Sequence, residues 1–66
     1  MMYAMEYDSD TGTFNYRGYE IDINHGIGYE ADYEYHYSDY DVYHDGNFIT
    51  TCNNMVEAIE YINKQP

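Results

Sequence analysis

Polar and apolar positions alternate along much of the chain, most regularly over Tyr29-Glu30-Ala31-Asp32-Tyr33-Glu34-Tyr35-His36-Tyr37. Alternation is the period of a strand, whose successive side chains point to opposite faces. It predicts one strand over 29–37, with Tyr29, Ala31, Tyr33, Tyr35 and Tyr37 on a packing face and Glu30, Asp32, Glu34 and His36 on an anionic one. At about 3.3 Å per residue, the carboxylates at 30, 32 and 34 would stand roughly 7 Å apart on a rigid rail.

Shorter runs repeat the pattern. Residues 1–7 read as a first strand with Tyr3, Met5 and Tyr7 on one face, and Asp8-Ser9-Asp10-Thr11-Gly12 carries the side chains and the glycine of a turn. Residues 13–16 return as a second strand. Gly18 suggests a bend before Tyr19-Glu20-Ile21-Asp22-Ile23-Asn24 resumes the alternation, with Glu20 and Asp22 outward. His25-Gly26-Ile27-Gly28 then reads as a turn, which would pair 19–24 with 29–37 and place their acidic faces together. Ser38-Asp39-Tyr40-Asp41 is another turn candidate, followed by a last strand or hairpin around Asp45-Gly46.

The period changes near the end of the chain. Asn54 with Glu57 three residues on forms a capping-box pattern, and Met55, Ala58, Ile59 and Ile62 make one apolar helical stripe. A helix of about ten residues is marginal alone, so it must dock on the sheet. The predicted architecture is a single α+β domain over 1–66, a three- to four-stranded antiparallel sheet with one C-terminal helix packed on its tyrosine and isoleucine face.

Composition sharpens this picture. A chain of 66 residues has little volume for a deep cleft, and eleven tyrosines must supply part of a core whose aliphatic set is thin. Thirteen acidic residues face only Arg17 and Lys64, for a formal net charge of -11. The 20% aromatic content and the regular alternation argue for a folded domain rather than a disordered acidic tail. Such a field repels nucleic acid and anionic membrane and favours a basic protein surface. Single Cys52 cannot close an internal disulfide, and no run resembles a signal peptide or a membrane span, which points to the cytoplasm. Cys52 reads as a small buried filler beside the helix start.

No catalytic, cofactor-binding or metal-binding constellation emerges. A calcium loop opening at Asp8 would need ligands where Gly12 and Tyr19 stand, and the turn reading suffices. Asp39, Asp41 and Asp45 lack a standard metal spacing, as do His25, His36 and His44 with Cys52. Neither a nucleophile motif nor a glycine-rich phosphate loop is present. Eleven rings exceed what one short helix can cover, so Tyr33, Tyr35, Tyr37, Tyr40 and Tyr43 include candidates for an exposed recognition surface. The carboxylates could simply solvate a small protein. Against that, basic residues that ordinarily intersperse such a face are missing, and a sheet bearing Glu20, Asp22, Glu30, Asp32 and Glu34 offers a fixed anionic array comparable to that of duplex DNA.

In its length, its charge and acidic strands such as Tyr29-Glu30-Ala31-Asp32-Tyr33-Glu34, the chain resembles the small acidic phage-encoded anti-defence proteins, in particular DNA-mimicking anti-CRISPR proteins. The resemblance is one of profile and carries over no individual residue. It implies a non-enzymatic, stoichiometric inhibitor in the host cytoplasm, a monomer or weak homodimer, occupying the DNA or PAM site of a CRISPR effector or other defence protein. The expected binding residues are Glu20, Asp22, Glu30, Asp32 and Glu34, with Asp39 and Asp41 at the margin and Tyr33 and Tyr35 as aromatic contacts. The alternative is an acidic adaptor or antitoxin-like module that binds a basic protein without imitating DNA; a small metal-binding domain is a third.

Overall fold

A computed structural model describes residues 4–66. Met1, Met2 and Tyr3 of the predicted first strand lie outside the described residues. Five strands, β1 (Met5–Asp8), β2 (Thr13–Tyr16), β3 (Tyr19–Glu30), β4 (Tyr33–His44) and β5 (Asn47–Cys52), precede helix α1 (Met55–Asn63). Each strand pairs antiparallel with the next, giving one sheet in the order β1-β2-β3-β4-β5. The α+β class and the C-terminal helix are as expected, whereas the sheet has five strands rather than three or four.

Local chemistry explains the ends of the elements. In the first turn the Asp8 carboxylate accepts from the Asp10 amide at 2.9 Å, and the Asp8 carbonyl accepts from the Gly12 amide at 2.8 Å. Asp45 and Gly46 both take positive φ, at 53° and 79°, the left-handed pair that joins β4 to β5 without splaying them. Arg17 and Gly18 do the same between β2 and β3, so Gly18 belongs to a two-residue turn rather than to a bend inside a strand. At the start of α1 the Asn54 side chain accepts from the Glu57 amide at 2.8 Å, and Glu57 reaches back to the Asn53 amide at 2.9 Å. Substituting Asn54 by alanine orphans a helix amide and is expected to cost about 1 kcal/mol, read as a lower midpoint in urea denaturation with an unchanged slope.

The core forms where α1 crosses the sheet. Ile21, Val42, Ala58 and Ile62 are fully buried, joined by Tyr16 and Cys52, with Met5, Phe14, Tyr19, Tyr40, Met55, Ile59 and Tyr61 packed around them. Directly opposed residues share a face of an antiparallel sheet. Phe14 opposes Ile21 and Ile21 opposes Val42, which fixes the helix-covered face. Tyr16 closes one side, its hydroxyl donating to Asn63 at 3.0 Å. Cys52 is buried here as a small apolar residue; desolvation, followed by the nearby Glu57 charge, raises its thiol pKa. Thiol-directed reagents are thus expected to label the native chain far more slowly than the urea-unfolded one.

The register of the longest hairpin overturns the central sequence expectation. β3 and β4 pair along their whole length, from Tyr19 with His44 to Glu30 with Tyr33, and Ala31-Asp32 forms the turn between them. The stretch 29–37 is therefore a hairpin tip rather than one strand. His25-Gly26-Ile27-Gly28 and Ser38-Asp39-Tyr40-Asp41, both expected as turns, lie inside β3 and β4, where they meet only at the pair His25 and Ser38.

β2 supports β3 only over 19–22, and β5 supports β4 only over 40–44. Residues 23–39 consequently project as a two-stranded arm with both outer edges open among the described residues. The arm stretches the described chain to 46 Å in its longest dimension and its radius of gyration to 13.6 Å, where a compact chain of this length would have about 11 Å.

Candidate functional site

The pairing register distributes the predicted site residues over three places. On the sheet face away from α1, β3 presents Glu20, Asp22, Asn24, Gly26, Gly28 and Glu30, and β4 presents Tyr33, Tyr35, Tyr37, Asp39, Asp41 and Tyr43. Glu34 opposes Tyr29 on the other face, within 3.5 Å of the exposed His36 ring, and Asp32 sits in the tip turn. The expected array of Glu30, Asp32 and Glu34 on one face is not formed. A two-residue turn reverses the chain, so Glu30 and Tyr33 become partners on one face, where an unbroken strand would have set them on opposite sides.

The acids that do gather are Glu20, Asp22, Asp39 and Asp41, so the two residues expected at the margin belong to the centre. Asp22 stands directly opposite Asp41, an arrangement of like charges that weakens a sheet. Asp41 is fixed in place: Asn24 donates to one carboxylate oxygen at 2.8 Å and Thr51 to the other at 2.7 Å. These donors hold its orientation and bring no positive charge. Arg17 stands in the β2–β3 turn, donating to Asn63 at 3.1 Å, and Lys64 caps the end of α1. No lysine or arginine occurs between residues 18 and 63.

Beside the acids runs a ladder of rings. Tyr33 and Tyr35 are 6.4 Å apart by ring centroid, and Tyr35 and Tyr37 are 6.2 Å apart. Tyr37 opposes Gly26 and Tyr35 opposes Gly28; each ring end fills the space that a Cβ on its glycine would need. The glycines are thus seats for the rings, and the rings cover backbone that would otherwise be bare. Tyr33 and Tyr37 remain 67% and 46% exposed even so. Gly28→Val would drive a side chain into Tyr35, and the expected result is loss of amide protection over 24–37 while the amides of Ile21 and Val42 stay protected in hydrogen exchange.

The other tyrosines divide by face. Tyr16, Tyr19 and Tyr40 pack at the core, and Tyr43 meets Phe48 edge-on on the acidic side. The glycine and ring pairs were missed in the sequence, although Gly-x-Gly and Tyr-x-Tyr at equal distances from a turn are the pattern that would have revealed them. Among the described residues no three histidines, cysteines or acids gather as metal ligands, and no pocket opens. No described helix is long and apolar enough to cross a membrane. Comparison with protein-family models, curated proteins and solved structures finds no significant match.

Proposed function

We propose that the protein is a stoichiometric binder of a basic, nucleic-acid-binding protein surface, and that it acts as an acidic mimic of DNA, inhibiting a host defence complex of the CRISPR type in the cytoplasm. The observation that carries this reading is the opposed pair Asp22 and Asp41, flanked by Glu20 and Asp39 on a face with no lysine or arginine. Opposed carboxylates cost stability, and a face that keeps them uncompensated is suited to a partner that supplies the cations. The charges would speed association with a Lys/Arg-lined groove and discriminate against acidic surfaces. The revised contact set is Glu20, Asp22, Glu30, Asp39 and Asp41 with Tyr33, Tyr35 and Tyr37; Asp32 sits at the tip and Glu34 on the reverse side. Binding and occlusion would be the whole activity, without catalysis or a cofactor.

The ring ladder favours a second reading, an adaptor that grips a basic protein without imitating DNA, because phenol rings have no counterpart in a row of phosphates. Competition separates the two. A mimic and duplex DNA exclude one another from a purified CRISPR effector in a gel shift, and the inhibition weakens as salt rises past the ionic strength at which the Debye length is about 8 Å. A complex holding effector, DNA and this protein together would replace the mimic by the adaptor.

A further inference from the structure

The ladder has geometry of its own beyond the charge around it. Three phenol rings repeat at 6.4 and 6.2 Å along the open arm. Alternate side chains of any extended chain repeat at about 6.6–6.8 Å. A segment lying along the arm in strand conformation would therefore bring every second side chain over one ring, and the unpaired edges of β3 and β4 leave room for it to approach. The charge on the same face selects what those side chains are: Glu30 opposes Tyr33 at the far end, and Asp39, Asp41 and Asp22 follow Tyr37 at the near end.

We propose that Tyr33, Tyr35 and Tyr37 stack the guanidinium groups of an extended partner segment that carries arginine at alternate positions. This deepens the reading above by naming the chemistry of the basic partner, and it rests on that reading for the partner's being basic. Arginine is planar, weakly hydrated and suited to lie on a ring face within about 6 Å of its centroid, whereas the lysine ammonium is compact and strongly hydrated. The carboxylates at either end of the ladder attract both cations; the rings distinguish them. Gly26 and Gly28 serve the same purpose by seating the rings against the backbone, so that little freedom is lost when a guanidinium arrives.

The test uses three synthetic peptides of equal charge, with arginine at alternating positions, lysine at the same positions, and the arginines in one contiguous block, titrated calorimetrically into the full chain. The alternating arginine peptide is expected to bind about fivefold or more tighter than the lysine peptide, the block falling between them. Tyr33→Phe, Tyr35→Phe and Tyr37→Phe together should keep the preference, since the ring faces remain, and Tyr35→Leu with Tyr37→Leu should erase it. Equal binding of arginine and lysine peptides overturns the proposal, as does a preference that survives the leucine variant. Failure of all three peptides to bind also overturns it, including through a dimer, seen in sedimentation, that buries the ladder between two copies. The two readings fail separately. An arginine preference together with simultaneous DNA binding on the effector retains the ladder and removes the mimic; DNA exclusion without an arginine preference does the reverse.

Discussion

Ile62→Ala is expected to remove most of the stability of this domain. Its side chain is fully buried with Ile21, Val42 and Ala58 at the only place where helix and sheet meet among the described residues. Truncating a buried isoleucine costs about 2–5 kcal/mol, the upper end applying where the site cannot collapse around the void. Stabilities of about 0.05–0.15 kcal/mol per residue would give a chain this long roughly 3–10 kcal/mol in all. Urea denaturation should show a midpoint moved close to zero denaturant, with the slope unchanged. Ile59, one turn earlier, is only partly buried, and Ile59→Ala should cost about half as much or less. Equal losses at the two positions would mean that the helix sits on the sheet in a different rotation from the one described.

The two ends of the fold were legible for physical reasons that the middle lacks. Asp8-Ser9-Asp10-Thr11-Gly12, Asp45-Gly46 and Asn54 with Glu57 each commit a specific backbone group to a specific side chain or to a positive φ, and all three form as expected. The stripe of Met55, Ala58, Ile59 and Ile62 likewise needs only the helical period, and it faces the core. The long hairpin has no such marker at its tip. Ala31 adopts φ 55° without being glycine or asparagine, so the turn leaves no trace in residue type. Because the loop has two residues, an even number, the alternation of Tyr29-Glu30-Ala31-Asp32-Tyr33-Glu34 runs through it undisturbed while the faces exchange. Gly26 and Gly28 imitate a turn by composition, yet their purpose is to admit Tyr37 and Tyr35 from across the ladder. Reading His25-Gly26-Ile27-Gly28 as the turn shifted the pairing and scattered the expected acidic row, and Tyr33 and Tyr35, expected on the face that packs against the helix, stand instead with Glu20 and Asp22 on the helix-free face.

The exchange of faces also yields a prediction in which stability and binding move in opposite directions. In the variant Asp22→Lys the residue opposite Asp41 becomes its ion-pair partner, so an unfavourable pair turns favourable, worth roughly 0.2–1 kcal/mol each way on a sheet surface. Thermal denaturation should show a melting temperature a few degrees above the parent. If the protein acts as proposed, inhibition should collapse, because a lysine at the centre of the proposed contact face would meet a basic groove, and like charges brought together at an interface cost several kcal/mol. Adding Glu20→Lys and Asp39→Lys should push the loss beyond about 100-fold and flatten the dependence of inhibition on salt. Glu34→Lys is the matched control: it changes the net charge by the same amount on the opposite face, and it should leave inhibition within about threefold of the parent. If Glu34→Lys and Asp22→Lys impaired binding equally, the partner would be sensing net charge from a distance rather than the helix-free face, and the site described here would be the wrong one.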